Sequence, residues 1–309
     1  MDMKGKKLLN KTWKENAVTY GIVIIAYIII QIMVQTGNIS SLMKGLLVPV
    51  CVYVIMAVSL NLVVGISGEL SLGHAGFMCA GAFSGALFTK CMADTIGNPV
   101  VCFAIAVVVG AATAAVFGIL IGVPVLRLQG DYLAIVTLAF GEIIKNIVNA
   151  LFIGRDENGL HFSLKSAMDL NLADGGEVLI KGPQGITGNP RVASFTIGVI
   201  LILITLFIVQ NVINSRTGRA VMAIRDNRIA AQSVGLSVTK YKLMAFTISA
   251  ALAGVGGVLY AHNLTTLTAL PKNFGYNQSI MILVFVVLGG IGNIRGSVIA
   301  AAILTVLPE

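Results

Sequence analysis

Two sets of ionisable side chains stand out in an otherwise apolar sequence. Glu69 and His74 lie in the glycine-rich stretch GISGELSLGHAGF, residues 65–77, and Glu142 lies in the middle of an apolar run with Lys145 three residues later. Ionisable groups inside a membrane segment commonly mark an ion or substrate path. Glu69 and His74 are too far apart for helical pairing, whereas Glu142 and Lys145 have the spacing of an ion pair on one helix face.

These residues do not add up to a catalytic or metal site. Besides His74 the chain has two histidines, His161 and His262, which we place on outer segments. Isolated Ser, His and Glu side chains lack the nucleophile, base and orienting group of an enzyme site. We therefore expect no catalytic residues, no metal and no cofactor on this chain, and small apolar packing roles for its four cysteines. The cysteines are Cys51, Cys79, Cys91 and Cys102.

The composition indicates a membrane protein. Of 309 residues, 57% are hydrophobic and 11% are charged, and the mean hydropathy is +0.92. Soluble domains usually carry about 25% charged residues. The apolar runs do not alternate with polar residues as barrel strands do. The net charge of +8 comes from basic residues between the apolar runs and at the amino end, which favours an orientation signal over nucleic-acid binding.

Eight apolar runs approach the length of a transmembrane helix. They are Ala17–Val34, Leu46–Val64, Leu72–Thr89, Val100–Pro124, Tyr132–Ile153, Val192–Asn214, Leu243–Asn263 and Ser279–Ile291. A ninth, Ser297–Leu307, is too short to span alone, and we expect the final helix to be cut short at Glu309 or to continue in a longer natural chain. The pattern predicts an all-α polytopic membrane protein with about 8–9 transmembrane helices, the first of them a retained signal-anchor.

The basic residues predict the orientation. With the N-terminus in the cytoplasm, thirteen Lys and Arg residues fall inside and seven outside, with Lys145 in a span, as the positive-inside rule requires. We therefore predict a cytoplasmic basic N-terminus over residues 1–16 and a single transmembrane domain over residues 17–309. Its longest connections are an outer loop, residues 154–191, and a cytoplasmic loop, residues 214–242.

Glycine spacing predicts two further features. Gly65, Gly68, Gly73 and Gly76 indicate an interrupted helix, which we assign with Glu69, His74 and Glu142 to the translocation path. His74 is expected to bond a backbone carbonyl and fix the bend; a proton relay is the alternative. For Glu142 a functional carboxylate and a structural ion pair with Lys145 stay equally open. Small residues four apart predict close helix packing, at Gly81/Gly85, Gly118/Gly122 and Gly292/Gly296.

The cytoplasmic loop carries its own helix signals. Residues Arg219–Ala231 predict a short helix, Gly235 ends it, and Ser237 can cap the helix that follows. Such a helix can lie on the lipid surface or fit a groove on a partner protein. The small residues Ala230, Ala231 and Gly235 favour the partner, because they permit close approach.

This loop resembles the coupling loop of ABC importer membrane subunits, in which two alanines are followed four residues later by glycine. Here Ile229 replaces the glutamate of that signature. Together with three other segments, the loop and its continuation ALAGVGGVLYAHN are similar to the LivM-type permease family of branched-chain amino-acid importers. The other segments are NLVVGISGELSLGHAGFMCAGAF, LRLQGDYLAIVTLAFGEIIKNI and FVVLGGIGNIRGSVIAA.

The resemblance implies the permease subunit of an ATP-driven importer for leucine, isoleucine and valine in a bacterial or archaeal cell membrane. Its implied partners are a second homologous permease, two cytoplasmic ABC ATPase subunits that carry ATP-Mg, and an extracytoplasmic solute-binding protein. The chain has no phosphate-binding loop motif of its own. The coupling loop would contact the ATPase through six residues: Arg225, Asp226, Arg228, Ala230, Ala231 and Gly235.

Three alternatives stay open. The first is a related importer for urea, short amides or another small solute, which shares the same plan. The second is an ion-coupled secondary transporter in which an acid such as Glu142 is essential, although no internal repeat supports it. The third is a membrane enzyme, which the scattered polar residues disfavour.

Overall fold

The structure is a computed structural model that describes residues 3–37, 40–93, 95–128, 130–156, 159–170, 172 and 176–307, with side chains described from residue 17 onwards. Helices dominate it. The long helices are α1 Met3–Gln35, α2 Ser41–Asn61, α3 His74–Met92, α4 Pro99–Val125, α5 Asp131–Ala150, α6 Phe195–Asn214 and α9 Val238–Ala261. The shorter helices are α7 Arg216–Asp226, α8 Arg228–Ser233, α10 Pro271–Phe274, α11 Tyr276–Gly289 and α12 Ile294–Val306.

Seven helices are long and apolar enough to cross a bilayer within the described part of the chain. The all-α polytopic fold is thereby confirmed, but the count of eight or nine spans is not. The predicted eighth span, Ser279–Ile291, corresponds to α11, which has 14 residues, and the ninth run corresponds to α12, which has 13. These two helices pack against each other as a hairpin, because neither alone reaches across the hydrocarbon.

Side-chain caps set several helix starts. Ser40, Ser194 and Ser215 each accept a hydrogen bond from the backbone N–H three residues later, at α2, α6 and α7. Asn98 caps α4, whose first residue is Pro99, a position where the missing N–H costs nothing. Asp131 is the first residue of α5, where a carboxylate offsets the helix dipole. Ser237 precedes α9 but makes no side-chain cap bond.

Glycines allow the central helices to touch backbone to backbone. A Cβ on Gly81 of α3 would lie 2.4 Å from Gly254 Cα of α9, and one on Gly254 would lie 2.5 Å from the Gly110 carbonyl oxygen of α4. Gly118 faces Ala250, and Gly289 faces Gly296 across the α11–α12 hairpin. The predicted pairs Gly81/Gly85 and Gly118/Gly122 therefore serve close helix packing, because lipid supplies no hydrophobic drive between helices. The predicted pair Gly292/Gly296 is wrong as a helix-face pair, because Gly292 lies in the α11–α12 turn with φ +82°.

The loop predicted over residues 154–191 contains a small sheet. Strand β1 (Phe152–Asp156) pairs antiparallel with both β2 (Gly159–Ser163) and β3 (Glu177–Lys181), and β4 (Ile186–Thr187) pairs with β5 (Thr266–Leu267). The sheet closes over the end of α3, where Arg155 donates to the Cys91 carbonyl at 2.7 Å and Lys90 lies 3.4 Å from Glu177. We call this end of the helix bundle the strand end.

The opposite end of the bundle collects basic residues and is called the basic end. It carries α7, α8, the start of α9 and the α11–α12 turn, since Gly292 lies against Gly65 and Arg225 bonds the Gly65 carbonyl. The membrane segment of α1 begins here too, because Arg295 Nε donates to the Thr19 hydroxyl at 3.0 Å. The lysines of the N-terminus that was predicted to be cytoplasmic precede residue 17, so their side chains lie outside the described part.

Candidate functional site: the helix break and its contacts with the loop 214–242

The chain changes course where α2 ends. Residues Leu62–Ser67 continue α2 as a π-helical turn, Gly68 adopts the left-handed conformation with φ +72°, and no helix resumes until His74. Single π turns are frequent at functional sites, and glycine accepts a positive φ without steric cost. We call Leu62–Ser67 the π turn and residues 68–73 the helix break. The interruption predicted from the glycines is present, and its role in a path stays a prediction.

The helix break carries non-helical backbone from the basic end to the middle of the bundle. At its beginning Glu69 forms an ion pair with Lys242, four residues after α9 starts at Val238. At its end His74 lies beside Ser59, whose carbonyl accepts a hydrogen bond from Ser249, eleven residues after Val238 and twelve before Ala261. Non-helical backbone at this depth survives only inside protein or beside a wet cavity.

His74 is part of a buried hydrogen-bond chain. Its Nε2 lies 2.7 Å from Ser59 Oγ, and the Ser59 hydroxyl donates to the Met56 carbonyl at 2.9 Å. Because that hydroxyl has one proton, His74 Nε2 must be the donor to Ser59. The ring also meets the Phe77 ring edge-on, with centroids 6.4 Å apart. His74 therefore fixes the start of α3 through a serine, not through a backbone carbonyl as the sequence suggested.

The first turn of α3 is seated by polar and glycine contacts. The Leu72 N–H donates to Thr137 Oγ1 at 3.0 Å and the Ala75 N–H to Ser279 Oγ at 3.1 Å. A Cβ on Gly73 would lie 2.2 Å from the Thr137 carbonyl oxygen. These contacts satisfy backbone groups that the missing helix leaves unpaired, and they hold α3 directly against α5 and α11.

Glu142 lies on α5 near the beginning of α11. It pairs with Lys145, as predicted, and its second oxygen accepts a hydrogen bond from the Tyr276 N–H at 2.7 Å. The carboxylate thus also caps α11, where negative charge is favoured. Its side chain is 25% exposed and that of Lys145 is 7% exposed. Asn146 on α5 and Asn277 on α11 are also exposed, as are Ile143 and Ile147, so the exposed surface here mixes polar and apolar side chains.

The predicted helix Arg219–Ala231 is two helices, which corrects the sequence interpretation. Asn227 is extended, with φ −153°, and its side chain caps α8 by accepting from the Ala230 N–H at 3.0 Å. Asparagine competes for such local bonds and so favours a cap over a helix interior. Gly235 then ends α8 with φ +84°.

The segment α7–α8 has a buried side and an exposed side. Ile224, Ala231 and Val238 form a small apolar cluster. Ile229 and Val234 point outwards and are 80% and 75% exposed. The exposed side therefore presents two large apolar side chains at the basic end.

Two basic side chains, one on α7 and one on α9, reach the π turn and the helix break from either side of α8. Arg225 Nη1 donates to the Gly65 carbonyl at 2.8 Å, and its stem passes so near Gly68 that a Cβ there would lie 2.6 Å from Arg225 Cγ. Lys242 pairs with Glu69. The two regions singled out separately in the sequence are therefore in direct contact at the basic end.

The six residues predicted for partner contact differ in how far they are exposed. Asp226, Ala230 and Gly235 are exposed, whereas Arg228 is half-buried and Ala231 is buried. Arg225 is partly exposed but directs its guanidinium at Gly65 and Asp226. Their roles in coupling stay predictions.

Lys242, Ser59 and Asn61 belong to the site and were missed in the sequence. Asn61 accepts from the Gly292 N–H at 2.9 Å and donates to Ser297 Oγ at 2.8 Å, tying the end of α2 to the α11–α12 hairpin. An asparagine inside an apolar run was the available signal. No group of three potential metal ligands occurs in the described ranges.

Comparisons with known proteins agree with this architecture. The family described as "Branched-chain amino acid transport system / permease component" matches residues 42–309. The high-affinity branched-chain amino acid transport system permease proteins LivM of Salmonella typhimurium and Escherichia coli are each 36% identical over 267 residues, covering 84% of this chain and 61% of theirs. The fructose import permease protein FruG of Bifidobacterium longum is 28% identical over 40% of this chain and 38% of its own length.

The chain thus spans about three fifths of the LivM proteins that it matches. No solved structure matches it at a significant level. The match over residues 42–309 includes the π turn, the helix break and α7–α8. Together with the seven apolar spans, it identifies a multi-pass protein of the cell membrane, and the chain belongs to the family of branched-chain amino acid transport system permease components.

Proposed function

We propose that the chain is the membrane-spanning subunit of an ATP-driven importer for branched-chain amino acids. A second homologous permease would complete the translocation path, and an extracytoplasmic binding protein would deliver the solute. Two ATPase subunits would bind ATP-Mg and supply the energy. The observation that carries this proposal is that α7 and the start of α9, which flank the exposed side of α8, contact the π turn and the helix break.

The ATPase contact would use the outward side of α8. Ile229 and Val234 are the large apolar side chains there, and Ala230 lies between them with little bulk. Apolar side chains that are removed from water in an interface contribute about 25 cal/mol per Å² of buried surface. We therefore propose that these three residues enter the ATPase groove with Asp226 and Gly235 at its edge, while Arg225 and Ala231 support the helix from behind.

The path itself would run along the face shared by α5 and the start of α11. The polar residues on this face are Glu142, Asn146 and Asn277. Exposure of their side chains to lipid would cost free energy. A second permease packed against this face would enclose them in a polar channel. Glu142 is already bonded to Lys145 and Tyr276, so it would bind a zwitterionic amino acid in the path only weakly. Weak binding would favour release of the solute over its retention.

We also propose that the basic end faces the cytoplasm. Arg225, Lys242 and Arg295 lie at that end, and the described start of α1 joins them through Thr19. The positive-inside rule then places residues 1–16 and the loop 214–242 in the cytoplasm and residues 154–191 outside. Residues 17–309 would form one permease domain.

The test is reconstitution of the assembled transporter. The full chain carrying an affinity tag is purified from its native membrane, and bound proteins are identified by mass spectrometry. We expect to find a pair of ATPase subunits and one second permease for each tagged chain. In proteoliposomes with the binding protein, uptake of labelled leucine should require ATP and fall when isoleucine or valine is added. Leucine accumulation driven by an ion gradient alone, without ATP, would refute the proposal.

A related importer for another small solute is the second candidate, because FruG, a fructose import permease protein, is 28% identical over 40% of the chain. Competition by fructose, urea or short amides in the same uptake assay, without competition by valine, would favour it. The energy source would be unchanged, so only the competition pattern separates the two.

A further inference from the structure

Two basic side chains contact the region around the helix break. One of them precedes α8 in the sequence and the other follows it. Arg225 comes three residues before α8 begins at Arg228, and Lys242 follows α8 in the second turn of α9. Arg225 bonds the carbonyl of Gly65 in the π turn, and Lys242 pairs with Glu69 in the break. The short helix therefore lies between two fixed points on the same stretch of chain.

The Arg225 contact is tightly defined. Its Nε and Nη2 both donate to Asp226 Oδ1, at 3.0 and 2.9 Å, which leaves Nη1 directed at the Gly65 carbonyl. The planar guanidinium keeps these three bonds in one fixed geometry, which a lysine could not reproduce. Gly68 must also lack a side chain here, because its φ is +72° and Arg225 occupies the space where a Cβ would project.

The Lys242 contact is shielded from water. The side chains of Lys242 and Glu69 are 12% and 11% exposed. A shielded ion pair gains little net stability because both charges lose hydration, yet breaking it leaves one charge buried without a partner. Such a pair is suited to fix the register of two elements, so it defines where the helix break starts relative to α9.

We propose that Arg225 and Lys242 are positioning residues that form a two-point clamp through which α7 and the start of α9, the two helices that flank α8, set the conformation of the helix break. This inference rests on the proposed function for its physiological meaning, but the clamp itself is a property of the single chain. Because packed elements switch between discrete arrangements, a shift of α7 together with the start of α9 moves Gly65 and Glu69 together. The break then moves the start of α3 at His74, near the middle of the bundle.

The first experiment needs no partner protein. Leu70, which is 38% exposed in the break, is replaced by cysteine in a Cys91→Ser background, since the other three thiols are buried. Labelling of Leu70→Cys by a water-soluble maleimide is timed in the detergent-solubilised full chain. We expect Arg225→Gln or Lys242→Gln to speed it by about tenfold, the effect of losing one charged hydrogen bond.

A matched control is Arg219→Gln, since the described contacts give the side chain of Arg219, on the same α7, one hydrogen bond, to the Asn214 carbonyl. It should label at the parent rate. Equal labelling rates in the Arg225, Lys242 and Arg219 variants would overturn the clamp, whether or not the wild-type chain transports leucine. Wild-type uptake is scored separately, so the two proposals fail independently.

The second experiment tests coupling in the assembled transporter. Lys242→Glu and Glu69→Lys alone should each lower the leucine imported per ATP hydrolysed by about tenfold, with normal co-purification of the ATPase. The exchanged pair Glu69→Lys with Lys242→Glu should restore most of that ratio. A role in stability alone would lower the amount of complex and leave the ratio unchanged, and that result, or no restoration by the exchanged pair, would contradict the proposal.

Discussion

Replacing Gly76 by alanine tests how α3 is seated against α5. Gly76 is the third residue of α3, and a Cβ there would lie 2.5 Å from Gly141 Cα and 3.1 Å from the Gly141 carbonyl oxygen. Carbon atoms in contact prefer a separation of about 3.5–4.0 Å. The two backbones must therefore move apart by about 1 Å, which breaks the neighbouring contacts of the helix break with α5.

The expected cost is about 1–3 kcal/mol, the usual range for one extra methyl group in a packed core. Gly21→Ala in α1 is the control, since nothing lies within 4 Å of a Cβ at that position. Alanine there should gain up to about 1 kcal/mol from its higher helix propensity. Gly141→Ala should be intermediate, because its Cβ would lie 3.2 Å from Gly73 Cα.

The measurement is the temperature at which half of the detergent-solubilised protein leaves the monodisperse peak in size-exclusion chromatography. The order of stability should be Gly21→Ala, then Gly141→Ala, then Gly76→Ala. If Gly76→Ala were as stable as Gly21→Ala, α3 and α5 could not meet at these glycines. The whole description of the helix break would then be wrong.

Substitutions at three further positions test α8, the start of α3 and the end of α9. Gly235→Trp should abolish uptake while the protein still inserts in the membrane, because tryptophan blocks close approach at α8 and strains the φ of +84°; Gly235→Asn, which tolerates a positive φ, should retain uptake. His74→Gln should keep most uptake, since glutamine can still donate to Ser59, and an inactive but correctly inserted transporter would contradict the positioning role. His262 follows the last residue of α9, and burial lowers its pKa while a hydrogen bond to the Val258 carbonyl opposes the shift. A lowered pKa in the folded state means that stability is lost as the pH falls below the unfolded value of about 6.5. Thermal stability should therefore drop between pH 7.5 and pH 5.5 in the wild type, and the drop should be smaller in His262→Gln.

Most of the membrane architecture could be predicted from local sequence. The predicted ends differ by at most three residues from the observed ends for two of the runs, Val100–Pro124 (α4) and Val192–Asn214 (α6). The agreement is close because hydropathy and caps act over neighbouring residues. The split between α7 and α8 was missed, since Asn227 acts as a cap only when its side chain turns back to Ala230. The strands of residues 154–191 were missed too, because their pairing is stabilised by the end of α3.

The site could be predicted only in part, because its bonds join residues far apart in the sequence. Glycine spacing located the helix break, and the i,i+3 spacing located the Glu142–Lys145 pair. Arg225 and Gly65 are 160 positions apart, and Lys242 and Glu69 are 173 apart. No periodicity within one helix indicates such partners; they follow from the packing of α7 and α9 beneath α2.

The arrangement around Glu142 bears on the energy source. An acid that couples transport to protons must gain and lose its charge in each cycle. Here the loss of that charge would leave Lys145, whose side chain is 7% exposed, without its partner and would weaken the cap on α11. A buried charge left unpaired costs about 3–5 kcal/mol, so the ion pair and the cap together hold α5 against α11. Glu142 is thus suited to a structural role, and under the proposed function an external ATPase supplies the energy through the proposed clamp instead.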